Sequence, residues 1–198
     1  MLKLFLYLLL FSLFACNNSK EESPNSVKPN STTTPPISKD LTHLLSRVKQ
    51  FEDSITSEIS KNQNKPIRAV TFFELINRLK EVVTYFPKAP ETADCLFKLH
   101  IKLGEMKDYS ESIAYGDTLL LRFPEFKDRD FVLQSIATTY DIYLRPRNSE
   151  KVRYYLNQLL LSKNLKEAEK KDLKDRLNYI HLDIIAYSTR LNKNNLAR

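Results

Sequence analysis

From residue 41 onward, apolar residues return every three or four positions and polar residues fill the intervals between them. That spacing follows the helical turn and marks one buried face on each segment. Leu41, Leu44, Val48, Phe51, Ile55 and Ile59 line the first such face, which begins at the N-cap candidate Ser38 and breaks over 61–66. A second helix is predicted from about Pro66 to Tyr85, with Phe72, Leu75, Ile76, Leu79, Val82 and Val83 inward. Phe86-Pro87 stops it, because the residue before a proline is pushed out of the helical region. The third helix opens at Pro90-Glu91, carries Ala93, Leu96, Phe97, Leu99, His100 and Leu103, and ends at Gly104. A left-handed cap there costs glycine nothing. The fourth runs from about Asp108 to Arg122 with Ile113, Leu119 and Leu120 inward, and Phe123-Pro124 stops it.

The fifth segment starts near Asp128 and carries Phe131, Leu133, Ile136, Ala137, Tyr140 and Tyr143. The sixth opens at Ser149-Glu150 with Val152, Tyr155, Leu156, Leu159 and Leu160. A seventh, longer helix follows 162–164, with Leu173, Leu177, Ile180, Ile184, Tyr187 and Leu191 on one face and Glu167 paired with Lys171 four residues on. No segment alternates with period two, so no sheet is predicted. Two glycines in 198 residues, no tryptophan, and abundant Leu, Lys and Glu strengthen this all-α reading. The net charge of +7 changes little, because the Lys and Arg are interleaved with acids along the helices. Such a pattern is a solvated surface and not a nucleic-acid patch.

The N-terminus is built differently. Lys3 precedes an almost unbroken apolar run from Leu4 to Ala15, too short for a membrane span and of the length of an export signal. It ends in Leu13-Phe14-Ala15-Cys16, which resembles the lipobox of bacterial lipoproteins. The resemblance implies cleavage before Cys16, acylation of its thiol and new amine, and attachment to a membrane through those chains. Two or three acyl chains make such an anchor effectively permanent. Asn17 stands where an Asp would resemble an inner-membrane retention signal, so the outer membrane is favoured. Lys20-Glu21-Glu22 looks like the surface-export tag of Bacteroidetes lipoproteins, which keeps the cell surface open beside the favoured periplasmic face. From 17 to 38 the chain is Asn, Ser, Thr, Pro, Lys and Glu with almost no apolar residue. Such a composition reads as a disordered tether. The division is therefore 1–15 signal, 16–38 lipidated tether, and 39–198 one helical domain. With Cys16 acylated, Cys95 is left without a disulfide partner, so core packing alone must hold the domain.

Phe86-Pro87 and Phe123-Pro124 lie 37 residues apart, each closing a helical hairpin. Paired helices at a beat in the thirties mark an α-solenoid, and here the chain resembles the tetratricopeptide repeat. Counted from Ala93, Leu96, Leu99, Ser112 and Pro124 fit its large, leucine, small and proline places. His100 stands where the repeat has a small residue at the helix crossing, and Gly116 where it has an aromatic. His100 there predicts a looser crossing. The next unit, from Asp130, fits through Leu133, Ile136, Ala137 and Tyr140, and its second helix fits if the loop over 145–148 absorbs extra residues. The resemblance implies an α-α superhelix of about three hairpins plus a C-terminal capping helix. It is similar to lipoproteins of outer-membrane assembly and envelope coordination.

No residue pattern offers chemistry. His43, His100 and His181 sit on separate helices without the spacing of metal ligands, Cys95 and His100 lie five apart, and phosphate-loop and nucleophile-elbow motifs are missing. The chain reads as a non-enzyme that uses no cofactor. In the repeat family the first helix of each hairpin lines a concave binding face. Carried over, that face is Asp94, Phe97 and Ile101, then Phe131, Gln134, Thr138 and Asp141. It would suit an extended or helical peptide with apolar and basic residues; the alternative is that Phe97, Ile101 and Phe131 pack inside the solenoid. The function expected is a lipid-anchored adaptor that binds an envelope protein. An uptake lipoprotein binding glycan or a small ligand ranks second, because tryptophan is absent and the tyrosines are scattered along the sequence.

Overall fold

A computed structural model describes residues 40–61 and 69–196. The signal, Cys16, the tether, the Ser38 cap and the break near Pro66 lie outside the described residues. Eight helices form among those described: α1 Leu41–Lys61, α2 Ala69–Tyr85, α3 Glu91–Glu105, α4 Tyr109–Arg122, α5 Arg129–Thr138, α6 Ser149–Leu160, α7 Glu167–Asn178 and α8 Ile184–Leu196. A π-helical turn, Thr139–Tyr143, extends α5. The described residues hold no strand, as the missing two-residue alternation requires. No described helix is long and apolar enough to cross a membrane.

Local chemistry starts and ends most of these helices where the sequence places them. Asp40 accepts from the Thr42 amide at 3.1 Å, Asp108 from Glu111 at 3.2 Å and Asn148 from Lys151 at 2.9 Å, each satisfying a donor that the first turn leaves open. At the end of α3 the expected glycine cap gives way to another residue. Gly104 stays helical, and Lys107 takes the left-handed conformation at φ 66°. The Lys107 amide donates to Gly104 O and the Asp108 amide to Leu103 O, the two bonds of a Schellman turn. A β-carbon on Gly104 would make an ordinary contact with Ser112 Oγ at 3.4 Å across the hairpin.

From α1 to α7 each helix packs on the next in sequence, α8 is tied to α7 through Asp175, Tyr187 and Arg190, and side chains also tie helices two apart. Glu52 on α1 meets Lys98 on α3 at 2.6 Å, and Lys80 on α2 meets Glu111 on α4 at 2.6 Å. Phe97 on α3 meets Phe131 on α5, and the Tyr155 hydroxyl on α6 donates to Asp117 on α4 at 2.7 Å. Odd helices therefore neighbour odd ones and even helices even ones. That gives two rows in a superhelical all-α arrangement. The exposed ion pairs contribute little energy by themselves, about 0–1 kcal/mol each, but they record the geometry.

Among the described residues the core falls into two apolar clusters. One joins α1, α2 and α3 through Leu44, Val48, Leu75, Ile76, Leu79, Val82, Cys95, Leu99 and Leu103. The other joins α3 to α6 through residues that include Leu96, Ile113, Leu119, Val132, Ile136, Val152 and Leu156. Between α3 and α4 the crossing is tight, and the looser packing expected around His100 is not found. His100 is 1% exposed, and a β-carbon on Gly116 would stand 3.0 Å from its Nδ1. The large residue at the small place is accommodated because the facing aromatic place holds no side chain at all.

The long seventh helix is two helices. Tyr179 to Asp183 interrupts the helix, and the freed carbonyls find specific partners. Arg176 donates to Tyr179 O at 2.9 Å and Leu182 O at 3.1 Å, and Arg147 donates to Ile180 O at 2.9 Å. Asp183 then caps α8, accepting from the Ala186 amide at 2.8 Å. α7 and α8 thus form a fourth hairpin where one capping helix was expected. On α7, Glu167 pairs with Lys170 at 3.0 Å and not with Lys171.

Candidate functional site

The odd row carries the residues that the sequence nominates for binding. On α3, Asp94 is exposed while Phe97 and Ile101 are half-buried. The ring of Phe97 lies 5.4 Å from that of Phe126 and 6.0 Å from that of Phe131, the latter edge-on at 70°. These separations suit aromatic rings, whose positive edges seek negative faces. Phe97 is also packed against the larger core cluster, whereas Phe131 remains 53% exposed. The two alternatives for these side chains are therefore divided between them. Phe97 mostly serves the interior, and Phe131 presents an apolar surface to solvent. Phe126, in the turn between α4 and α5, completes the group and was missed from the sequence. Its signal was a lone aromatic between the charged Glu125 and Lys127.

One turn along α5 from Phe131, Gln134 is exposed and forms part of the wall of a groove of about 750 Å³. Leu159 of α6, Leu165, Leu173 of α7 and Leu191 of α8 give this groove its apolar lining. Tyr187 and Arg190 close its far side. The Tyr187 hydroxyl donates to Asp175 Oδ2 at 2.9 Å, Arg190 reaches the same oxygen at 3.3 Å, and the Arg190 guanidinium stacks 3.4 Å from the centre of the Tyr179 ring. Burial and then the Asp175 carboxylate push the Tyr187 phenol up to about 12, so it stays a donor. The groove exists only because the seventh helix is broken and α8 folds back.

Thr138 is half-buried at the end of α5. Asp141, nominated for the same face, points inward instead and is 6% exposed. Its carboxylate is shared between Arg147 Nε and Arg176, the second at 2.8 Å. The same two arginines hold the carbonyls of the α7–α8 break. Asp141 is thus the anchor of a buried charge network and is not available to a partner. The π-helical turn accounts for this, because its wider winding shifts the register of residues 139–143 relative to a straight continuation of α5.

A second grouping was not legible. Tyr109 and Tyr143 stack at 5.1 Å and 12°, Tyr140 and Tyr155 at 5.9 Å and 15°, and Tyr154 meets Tyr155 edge-on at 5.0 Å. Tyrosines far apart in sequence are thus gathered along the seam between α4 and the α5–α6 hairpin, with Asp117 accepting the Tyr155 hydroxyl. Tyr143 and Tyr154 are about half exposed. The remaining chemistry-bearing side chains are dispersed. His43 and His181 lie at the surface, and Cys95 is a free thiol in the smaller core cluster, pushed up to about 11 by burial. Among the described residues no three His, Cys, Asp or Glu gather as metal ligands.

Compared with models of protein families, with curated proteins and with solved structures, the chain finds no match.

Proposed function

We propose that this chain is a non-enzymatic, lipid-anchored adaptor, held at the outer membrane through Cys16 and binding an envelope protein along the odd-helix row. The tetratricopeptide-like beat supports a binding solenoid, and the lipobox-like Leu13-Phe14-Ala15-Cys16 supports the anchor. One observation carries the binding reading: the half-exposed ring of Phe131 lies one turn along α5 from Gln134, and Gln134 forms part of the wall of a groove with an apolar lining of four leucines. An exposed aromatic anchor beside a concave apolar surface is what a peptide or helix of another protein fills. The resemblance to assembly lipoproteins suggests the setting, outer-membrane protein assembly with the domain on the periplasmic side.

The test is capture from detergent-solubilised envelopes with the full chain and with Phe131→Asp. Phe131 is half exposed, so this substitution leaves the fold intact, which circular dichroism checks. Recovery of a protein by the wild type and its loss in the variant supports the adaptor. Equal recovery by both, or none by either, sinks it. Protease shaving of intact cells separates the periplasmic from the surface orientation, because only a surface domain is cut.

A second reading, a surface lipoprotein that binds a glycan, gains from the tyrosine seam. Flat aromatic faces beside a carboxylate suit sugar rings and their hydroxyls, and tyrosine here takes the place of the missing tryptophan. Titrating neutral oligosaccharides while following the Tyr143 and Tyr154 ring resonances decides it; unmoved resonances remove the reading.

A further inference from the structure

His100 joins three helices from inside the core. Its Nδ1 lies 2.9 Å from Ser112 O on α4, and its Nε2 lies 3.0 Å from Ser135 Oγ on α5. A carbonyl only accepts, so Nδ1 carries the proton, and Nε2 then accepts from the Ser135 hydroxyl. The Ser112 hydroxyl closes the cage by donating to the backbone carbonyl of His100 at 2.6 Å. Every polar atom of this cage is satisfied by a neutral imidazole.

The surroundings offer a protonated ring little compensation. From α4, the Asp117 carboxylate acts on it, but Asp117 is engaged by the Tyr155 hydroxyl at 2.7 Å. From α5 come the Ser135 hydroxyl and Ile136, and α2 meets α3 through apolar side chains such as Leu75, Leu79 and Val82. The Ser135 hydroxyl can turn to accept from a protonated Nε2, so the hydrogen bond alone does not decide the outcome. The charge decides it, since burying an ion without a partner is far costlier than burying a satisfied dipole.

The same crossing carries the nominated binding face. His100 follows Phe97 by one turn on α3, and Ser135 follows Phe131 by one turn on α5. The polar tie lies inside, and the aromatic contact lies on the outer side. We propose that the α3–α5 crossing is an acid-sensitive coupling, in which proton uptake by His100 loosens this contact and with it the Phe97–Phe131 face. Its consequence for partner binding rests on the adaptor reading, whereas the opening itself does not.

The sign follows from burial. Burial holds the imidazole below its ordinary value of 6.5, so the opened state binds a proton more readily than the closed one. Each pH unit below about 6.5 then raises the opened population about tenfold, until the closed-state value is reached. Above that window the coupling is fully in place.

The experiment uses the detergent-solubilised full chain between pH 7.5 and 4.5. The His100 imidazole resonances give its titration, and amide hydrogen exchange, corrected for its intrinsic pH dependence, gives the opening. The expected result is a His100 midpoint below the ordinary value of 6.5. Protection of the amides around 97–103 and 132–138 should fall about tenfold per unit, while α1 keeps its own. His100→Gln should flatten that dependence; if this variant does not fold, the wild-type measurements still decide. A His100 midpoint at or above 6.5, or protection lost evenly along the chain, overturns the proposal. Partner retention is read separately. A crossing that opens while a captured protein stays bound refutes the coupling to the face, and absence of any captured protein at neutral pH refutes the adaptor reading alone.

Discussion

Gly116 faces His100 so closely that a β-carbon on the glycine would stand 3.0 Å from the imidazole Nδ1 and 2.9 Å from Ile136 Cδ1. Within a helix, alanine ordinarily stabilises by about 1 kcal/mol over glycine. Here the sign should reverse, because the neighbours are a ring fixed by three hydrogen-bonding groups and a core isoleucine. Gly116→Ala is expected to destabilise by about 1–3 kcal/mol through overpacking. Urea unfolding of the two proteins measures it, and a more stable alanine variant would show that the crossing gives way easily.

Asp141 holds two arginines that in turn hold the break between α7 and α8. Replacing it leaves two buried cations facing each other without compensation. Asp141→Asn is expected to cost about 3–5 kcal/mol, the loss typical of breaking a buried pair from one side. Hydrogen exchange should find amides of 176–187 opening first. Loss spread uniformly over all helices would mean the network does not organise the C-terminal hairpin.

Lys107 pays for its place in the Schellman turn with a left-handed backbone at φ 66°. Glycine there avoids the steric cost. Lys107→Gly is expected to stabilise by about 0.5–1 kcal/mol, since its side chain is exposed and nothing else is lost. A thermal melt reads this as a rise of a few degrees.

Cys95 is 3% exposed and its thiol is raised from 9.0 to about 11. Two pH units in that constant mean about a hundredfold less thiolate near neutral pH. Alkylation of folded protein should therefore be at least about a hundredfold slower than in urea. Labelling at the unfolded rate would place the thiol at the surface.

The aromatic proline stops, the acidic and amide N-caps and the three-to-four spacing determined most of the helices by themselves, because each depends on a few neighbouring residues. The pairing of successive helices was equally legible, since the short connections at 86–90 and 106–108 leave the chain no other course. Phe131 and Gln134 could be nominated because the resemblance to the tetratricopeptide repeat implies which first-helix positions line its concave face. What the sequence could not decide was which side of that face points inward once helices from distant segments meet. Asp141 turned inward because two arginines converge on it from a loop and from α7, and a π-helical turn alters its register. The break at 179–183 was hidden for the same reason. The apolar stripe ran through it unbroken, and only the arginines brought there by the fold could satisfy the carbonyls that the interruption released. Long-range charge and hydrogen-bond partners are properties of the assembled rows, and they converted one predicted capping helix into the hairpin that bounds the groove.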